Sequence, residues 1–309
     1  MASWQMQTLA LLLRATRKPR MATAERARQR MARPKGPSVP PEEITSRYAV
    51  SERRVGDFTC YTVAPPGGDF THAVLYLHGG SYINEITSQH WSFIARLVEA
   101  GARAEVPIYG LAPQHTYREA YPLLIDVYRD LLGDLGSDDA EARAGGSDGV
   151  GVSVVGDSAG AGLALGFAQS LQAARLPQPR QLVLLSPWLD LTLSNPDILR
   201  VQRRDPWLSR VGLLEVAKAW SGGDDPTDFR LSPLNGPLAG LPPVAIYVGT
   251  RDILHPDAVK LRDRLEAAGV PVRLEVAKGA FHVYVLAPVP EGRRAASTIV
   301  RDLAPAGSR

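Results

Sequence analysis

Residues 152–162 constrain the fold more than any other stretch of the sequence. They read Val-Ser-Val-Val-Gly-Asp-Ser-Ala-Gly-Ala-Gly, a β-branched run followed by small residues. The run favours a buried strand, and the small residues favour a helix packed closely against a sheet. Between them, Gly156 and Gly160 flank Ser158 with the Gly-x-Ser-x-Gly spacing of a sharp strand-to-helix turn that presents a serine hydroxyl. An ordinary tight packing turn is the alternative interpretation of this pattern taken alone.

Strands and helices are predicted to alternate on both sides of this turn. The predicted strands are 55–63, 73–77, 102–106, 152–156, 181–185, 244–248 and 272–276. The predicted helices are 91–100, 118–132, 159–174, 256–268 and 293–303. This alternation predicts an α/β fold with a mostly parallel central sheet, helices on both faces and ligands at the C-terminal ends of the strands.

Positive charge is concentrated at the N-terminus, where nine Lys and Arg residues precede Pro41 and Glu25 is the single acid. The pattern of residues 1–33 predicts one or two amphipathic helices, with Leu9, Leu12 and Leu13 on one face. A proline-rich linker follows them. A lid over a pocket is the interpretation we favour, and weak contact with a membrane surface is the alternative. A nucleic-acid partner is not expected, because no recognised nucleic-acid motif accompanies the charge.

The cysteine and histidine contents restrict the compartment and the cofactors. The single cysteine, Cys60, excludes an intramolecular disulfide and fits a reducing compartment, so we expect a cytoplasmic protein. Its thiol is interpreted as a small buried hydrophobe on a strand. With no second cysteine and no His-Glu-x-x-His motif, neither a metal nor an organic cofactor is expected. The oligomeric state is left open by the sequence.

A glycine-rich loop, His78-Gly79-Gly80-Ser81-Tyr82, follows the predicted strand 73–77. Glycines let backbone N–H groups approach a substrate, and such donors stabilise the negative charge that develops on a carbonyl oxygen under attack. The loop therefore predicts an oxyanion site, with a tight structural turn as the alternative. His78 is expected to hydrogen-bond within this loop and shape it.

A nucleophilic serine needs a base and an acid that orients the base. Asp252 lies on the loop after the predicted strand 244–248, and His282 lies on the loop after 272–276. Two neighbouring parallel strands can therefore deliver an acid and a base to the same edge of the sheet as Ser158.

Three other residues are weaker candidates. His255 is interpreted as a residue at the end of a helix, because it follows Asp252 by only three positions and precedes Pro256. Asp190 remains an alternative acid, since the strand before it also ends near Ser158. Asp257 is interpreted as an acid in the first turn of a helix, where the helix dipole favours it.

Taken in chain order, these motifs resemble the hormone-sensitive-lipase-like family of α/β-hydrolase carboxylesterases. The resemblance extends over about residues 73–282 and rests on His78-Gly79-Gly80-Ser81, Tyr109-Gly110-Leu111-Ala112-Pro113, Gly156-Asp157-Ser158-Ala159-Gly160, Ser186-Pro187-Trp188-Leu189-Asp190, Gly240-Leu241-Pro242-Pro243, Asp252-Ile253-Leu254 and His282. Three residues depart from the family pattern. Ser81 replaces a third glycine, Gly110 replaces an arginine and Gln114 replaces a glutamate, so a salt bridge between positions 110 and 114 is absent.

The resemblance implies an α/β-hydrolase fold with a helical cap, and it implies roles for individual residues. Ser158 is the implied nucleophile, Asp252 the acid and His282 the base. The implied oxyanion hole consists of Gly79, Gly80, Ser81 and Ala159, with the N–H groups of Gly80, Ser81 and Ala159 as donors.

The same resemblance implies how the chain is divided and what it does. Residues 1–45 form an N-terminal cap segment and linker, 46–194 and 231–309 form the two parts of the core, and 195–230 form a cap insertion. The implied activity is that of a serine carboxylester hydrolase acting on small-molecule esters with short to medium acyl chains, or on lactones, through an acyl-enzyme. An amide deacylase or acyltransferase with the same triad, and a non-catalytic small-molecule binding protein of the same fold, are the alternatives.

Overall fold

The structure is a computed structural model that describes residues 2–135 and 151–305. Its centre is an eight-stranded sheet with the order β1-β2-β4-β3-β5-β6-β7-β8. The strands are β1 (Ala49–Val55), β2 (Phe58–Ala64), β3 (His72–Leu77), β4 (Ala102–Ile108), β5 (Val152–Asp157), β6 (Gln181–Leu185), β7 (Val244–Gly249) and β8 (Val272–Ala277). Strand β2 pairs antiparallel with β1 and β4, and every pairing from β4 through β8 is parallel. The predicted α/β fold with a mostly parallel sheet is therefore confirmed.

Helices cover both faces of this sheet. They are α1 (Trp4–Thr16), α2 (Ala24–Met31), α3 (Glu42–Thr45), α4 (Ser88–Glu99), α5 (Tyr117–Asp134), α6 (Ala159–Ser170), α7 (Asp197–Gln202), α8 (Arg210–Ser221), α9 (His255–Ala267) and α10 (Pro290–Leu303). Residues of α5, α6 and α9 belong to the hydrophobic core on one face, and residues of α4, α10 and α1 belong to the core on the other. Side chains alternate along a strand, so Val154 enters the first core and its neighbour Val155 enters the second.

Two local predictions differ from the structure. The single strand predicted at 55–63 is instead the second half of a hairpin, because the chain reverses at Gly56, which has a φ of +56°. In α1, the buried face consists of Met6, Ala10 and Leu13, whereas Leu12 is exposed. Leu9, Leu12 and Leu13 therefore do not share one packed face, as the sequence had suggested.

The arrangement of strands positions the loops that the sequence singled out. Strand β5 lies between β3 and β6, and β7 lies between β6 and β8. The C-terminal ends of β3, β5, β7 and β8 therefore open onto one edge of the sheet. Among the residues described, no helix combines the length and the apolar character needed to cross a membrane.

Candidate active site

Ser158 sits at the junction between β5 and α6, with a φ of +53° and a ψ of −118°. A non-glycine residue rarely adopts a positive φ, so the turn holds this serine under backbone strain. A Cβ atom added to Gly156 would lie 2.5 Å from the carbonyl oxygen of Gly160, and one added to Gly160 would overlap the carbonyl oxygen of Leu77. The steric reason for glycine on both sides of the serine is thus present in the structure.

Three buried side chains form one hydrogen-bonded chain at this edge of the sheet. The Nε2 atom of His282 lies 2.8 Å from the Oγ atom of Ser158, and its Nδ1 atom lies 2.9 Å from the Oδ2 atom of Asp252. The other carboxylate oxygen of Asp252 accepts the backbone N–H of Leu254 at 3.0 Å. The structure therefore brings together the three side chains that the sequence selected from distant positions.

The Asp252 carboxylate determines the state of the imidazole. A carboxylate can only accept hydrogen bonds, so Nδ1 of His282 carries the proton in this pair, and neutral Nε2 can accept the Ser158 hydroxyl. Burial lowers the pKa of His282, but the negative charge and hydrogen bond of Asp252 outweigh it. The pKa of His282 therefore lies above its ordinary value of 6.5.

The loop after β3 carries backbone N–H groups near this serine. Gly80, Ser81 and Tyr82 have successive φ values of +127°, +54° and +58°, which turn the backbone out of any regular structure. Within the residues described, the N–H groups of Gly80, Ser81 and Ala159 donate no hydrogen bond to the protein. These three amides are therefore free to bind a ligand oxygen.

Gly79 has a different role from the other loop glycines. Its N–H donates to the Oδ1 atom of Asp157 at 2.9 Å, so this amide is already engaged. A side chain at this position would also overlap the Asp157 carboxylate. Gly79, which the sequence grouped with the oxyanion hole, therefore anchors the loop and does not supply a free donor.

Asp157 belongs to a buried network that the sequence did not reveal. Its Oδ1 atom also accepts the Tyr76 hydroxyl at 3.0 Å, and its Oδ2 atom lies 3.3 Å from Nε2 of His90. Burial raises the pKa of this carboxyl, but His90 and the donors from Gly79 and Tyr76 more than offset that effect and lower it. The only signal in the sequence is an ionisable residue directly before Ser158.

His78 is buried beneath the same loop. Its Nδ1 atom lies 2.8 Å from the Gly79 carbonyl oxygen, and its ring stacks on Tyr109 with the centroids 4.4 Å apart. Burial, with a smaller contribution from His90, lowers the pKa of His78 to about 4, so the imidazole is neutral. As expected from the sequence, His78 hydrogen-bonds within the loop.

The weaker candidates lie in other environments. The carboxylate of Asp190 accepts the N–H and hydroxyl groups of Thr192 and Ser194, which makes it part of a local turn with no histidine on it. His255 is the first residue of α9, and burial lowers its pKa. Cys60 is buried on β2, and burial raises the pKa of its thiol.

Two tryptophans from the segment 195–230 contact the site and the loop beside it. The Trp207 ring lies edge-on to the His282 ring with the centroids 5.7 Å apart. From α8, Trp220 stacks face to face on Tyr82 at 4.2 Å, and the Tyr82 hydroxyl donates to the carbonyl oxygen of Ala159 at 2.9 Å. Tyr82 thus links the glycine-rich loop, the serine turn and α8.

Other contacts occupy the place of the salt bridge that is absent between positions 110 and 114. The His115 ring covers Gly110 so closely that any Cβ there would overlap it. Nearby, the Lys35 ammonium donates to the carbonyl oxygens of Met31, Ile83 and Ala112 at 3.1, 3.0 and 3.1 Å. The segment around residues 110–115 is therefore held by the His115 ring packed on Gly110 and by the Lys35 ammonium, which binds three carbonyls.

Comparisons with known proteins agree with this geometry. A family model described as the alpha/beta hydrolase fold matches residues 74–286. The chain is 34% identical over 260 residues to an acetyl-hydrolase of Streptomyces hygroscopicus, covering 83% of this chain and 80% of that protein. It is 33% identical over 218 residues to an ethyl acetate hydrolase of Pseudomonas putida, covering 69% and 66%.

Solved structures give the same result. An esterase/lipase from an uncultured bacterium superposes with a TM-score of 0.80 at 28% identity, covering 98% of both chains. An esterase from the bacterial hormone-sensitive lipase family superposes with a TM-score of 0.78 at 26% identity, also over 98% of both. The chain therefore belongs to the α/β-hydrolase fold family, within its hormone-sensitive-lipase-like branch, and is a carboxylesterase-type hydrolase.

Proposed function

We propose that Ser158 is the nucleophile of this hydrolase, with His282 as its general base and Asp252 as the acid that orients the base. The hydrogen-bonded chain from Ser158 Oγ through the imidazole to Asp252 carries the proposal, with distances of 2.8 and 2.9 Å. The hydroxyl attacks the ester carbonyl while Nε2 takes its proton, and the imidazolium then protonates the departing alcohol. Water hydrolyses the acyl-enzyme by the same route.

The oxyanion of each tetrahedral intermediate is proposed to bind the free amides of Gly80, Ser81 and Ala159. Donors fixed in advance stabilise developing charge without reorganisation, and each contributes about 10²–10³ in rate. The contacts of the loop support this role, because Asp157 binds the amide of Gly79 and the Tyr82 hydroxyl binds Ala159, so the loop is fixed beside the serine turn. Ala159 adds the amide at the start of α6, where the helix dipole also favours negative charge.

The proposed substrates are small-molecule esters with short to medium acyl chains, or lactones. The large ring of Trp207 packs edge-on against His282, and Tyr82, which stacks on Trp220, binds the carbonyl of the residue after Ser158. Two relatives are named as an acetyl-hydrolase and an ethyl acetate hydrolase, which supports a small acyl group. We therefore expect the specificity constant to fall as the acyl chain lengthens.

We also propose that residues 1–45 and 195–230 form a cap over the core segments 46–194 and 231–309. Helix α2 packs against α8, and the ammonium of Lys18 donates to the carbonyl oxygen of Gln202 at 2.8 Å. These contacts join the two cap segments to each other, and Trp207 joins them to His282.

The decisive test compares Ser158→Ala with Ser153→Ala, which removes the hydroxyl of another buried serine on β5. We expect Ser158→Ala to lower turnover of a short-chain nitrophenyl ester by about four to six orders of magnitude and to abolish labelling by a fluorophosphonate probe. Ser153→Ala is expected to keep both. A loss below tenfold in a folded Ser158→Ala protein would refute the assignment of the nucleophile.

The outer face of α1 is the basis for a second proposal, weak contact with a membrane surface. Trp4, Leu11 and Leu12 are 72, 67 and 56% exposed, and Arg14 on the same helix has no ion pair within the described chain. We propose that this face rests on an anionic lipid surface from the cytoplasmic side, a location that the single reduced thiol also supports. Sedimentation with anionic vesicles at low salt is the test. If the double variant Leu11→Gln, Leu12→Gln sediments as well as the wild type, this face does not bind the vesicles.

A further inference from the structure

Asp205 is a fully buried carboxylate that lies between α7 and α8, next to the triad. Its Oδ1 atom accepts the backbone N–H groups of Trp207 and Leu208 at 2.7 and 2.8 Å. Its Oδ2 atom accepts the N–H of Ile253 at 2.9 Å, and Ile253 directly follows Asp252. One carboxylate therefore joins the segment 195–230 to the loop that carries the triad acid.

The same contacts reach the triad base by a second path. Trp207, whose N–H is held by Asp205, lies edge-on to His282 with the two rings 83° apart in orientation. On the side away from the triad, the backbone carbonyl of Asp205 accepts the ammonium of Lys18, which also binds the carbonyl of Gln202. Lys18 thus binds the backbone of Asp205, and the Asp205 carboxylate binds Trp207 and Ile253, which are next to the triad.

The electrostatic environment makes this placement costly. The charged groups that face Asp205 are Asp252 and His282 on the core side and Lys18 on the N-terminal side. Burial and the like charge of Asp252 raise the pKa of Asp205 to about 6. In return, the negative charge of Asp205 is one of the influences that raise the pKa of His282. A buried carboxylate beside another one costs free energy, and the backbone hydrogen bonds from Trp207, Leu208 and Ile253 offset part of that cost.

We infer that Asp205 is a positioning residue of the triad, which fixes Asp252 through the amide of Ile253 and fixes His282 through Trp207. The inference rests on the proposed roles of Asp252 and His282. It means that the triad is competent only when the loop at residues 203–209 is seated against the core. Asp205 itself touches neither the nucleophile nor the oxyanion amides within the described contacts.

Asp205→Asn tests this role with almost no change in shape. The amide has only one acceptor oxygen, so at least one of the three backbone donors is left unpaired. We expect kcat for a short nitrophenyl ester to fall about 10- to 100-fold while KM stays within about twofold, because small displacements of catalytic groups affect turnover and no substrate contact is removed. We also expect the acid limb of the pH profile of kcat/KM to move to lower pH, because the negative charge of Asp205, which raises the pKa of His282, is lost.

Two variants separate the positioning role of Asp205 from the mere removal of a buried carboxylate. Asp257 is another buried carboxylate, with its pKa raised to about 6 by burial, but its partner is Asn195 and it does not contact the triad. Asp257→Asn is therefore expected to leave the acid limb unchanged. Asp205→Glu keeps the charge, so its acid limb is expected to return to the wild-type pH even where kcat remains low.

The outcomes distinguish this inference from the proposed function. If the wild type hydrolyses the ester and Ser158→Ala does not, the role of Ser158 as nucleophile is supported, whatever the result for Asp205→Asn. Wild-type kcat and an unmoved acid limb in Asp205→Asn would overturn the positioning role. If Asp205→Asn does not fold, Lys18→Met decides. It removes the ammonium that holds the loop and keeps the carboxylate, so an unchanged kcat in that variant overturns the inference and a lower kcat at constant KM supports it.

Discussion

The substitution Asp157→Asn removes the charge that anchors the glycine-rich loop and leaves the serine turn otherwise intact. The carboxylate accepts three donors, from Gly79, Tyr76 and His90. On His90, Nδ1 accepts the backbone N–H of Thr87, so Nε2 carries the proton that points at Asp157. An amide cannot accept on both sides, so one buried donor faces the new NH₂ group.

The expected magnitude follows from these contacts. Leaving one buried donor unpaired and replacing a charged acceptor by a neutral one costs about 2–3 kcal/mol of unfolding free energy. In a chain of this size the unfolding midpoint falls by about 5 °C. The loop that presents Gly80 and Ser81 loses its anchor at Gly79, so we expect kcat to fall by about 10- to 100-fold as the oxyanion donors lose alignment.

The stability difference has a defined pH dependence. The folded-state pKa of Asp157 lies below its ordinary 3.8, so its stabilising contribution is present above pH 3.8 and is lost as the pH falls through the lower folded value. Thermal unfolding of the wild type and Asp157→Asn is therefore expected to differ by a constant amount from pH 5 to 8. The difference is expected to shrink only in stronger acid.

Asp190→Asn is the matched control for this substitution. Asp190 is a buried carboxylate whose pKa is also lowered overall, since hydrogen bonds from Thr192 and Ser194 outweigh the effect of burial. We expect a similar loss of stability but a kcat within about threefold of the wild type, because its contacts with Thr192, Ser194 and Ser232 do not include the glycine-rich loop. Equal losses of kcat in both variants, or full kcat in Asp157→Asn, would refute the anchoring role and point to general destabilisation.

Three further results are expected. His282→Ala abolishes ester hydrolysis whereas His255→Ala retains most of it, and the reverse order in a nitrophenyl ester assay would contradict the assigned base. The kcat/KM profile declines as the pH falls through a value above 6.5, because the base must be neutral and its folded pKa is raised; a profile flat down to pH 5 would contradict this. Asp257→Asn raises the unfolding free energy by about 1–2 kcal/mol at pH 8, because burial raises its folded pKa to about 6. That gain disappears as the pH falls from 6 toward 3.8, and denaturant titration at both pH values checks it.

The parts of the fold that depend on local pattern could be predicted from the sequence. The alternation of strands and helices, and the steric need for glycine at 156 and 160, follow from residue type and spacing alone. The hairpin before the parallel strands was not predicted, because β1 is mostly exposed and carries the polar run Ser51-Glu52-Arg53-Arg54, which does not favour a strand.

The contacts that support the site could not be predicted in the same way. Asp157, His90 and Asp205 bind partners far away in the chain, and nothing in their local sequence announces such pairing. The engaged amide of Gly79 shows the same limit. Its residue type indicates that the backbone approaches something closely, but only the packing against β5 shows that this neighbour is a carboxylate.

Lys35 attaches the N-terminal segment to the rest of the chain through hydrogen bonds to backbone carbonyls. Its three bonds run to neutral carbonyls, and the charges of Glu85 and Arg30 act on the ammonium without a close ion pair to Lys35 among the described residues. Burial lowers the pKa of this ammonium. The contact between the first forty residues and the loop beside the serine is therefore expected to weaken in alkali, where loss of one proton leaves two N–H donors for three carbonyl acceptors.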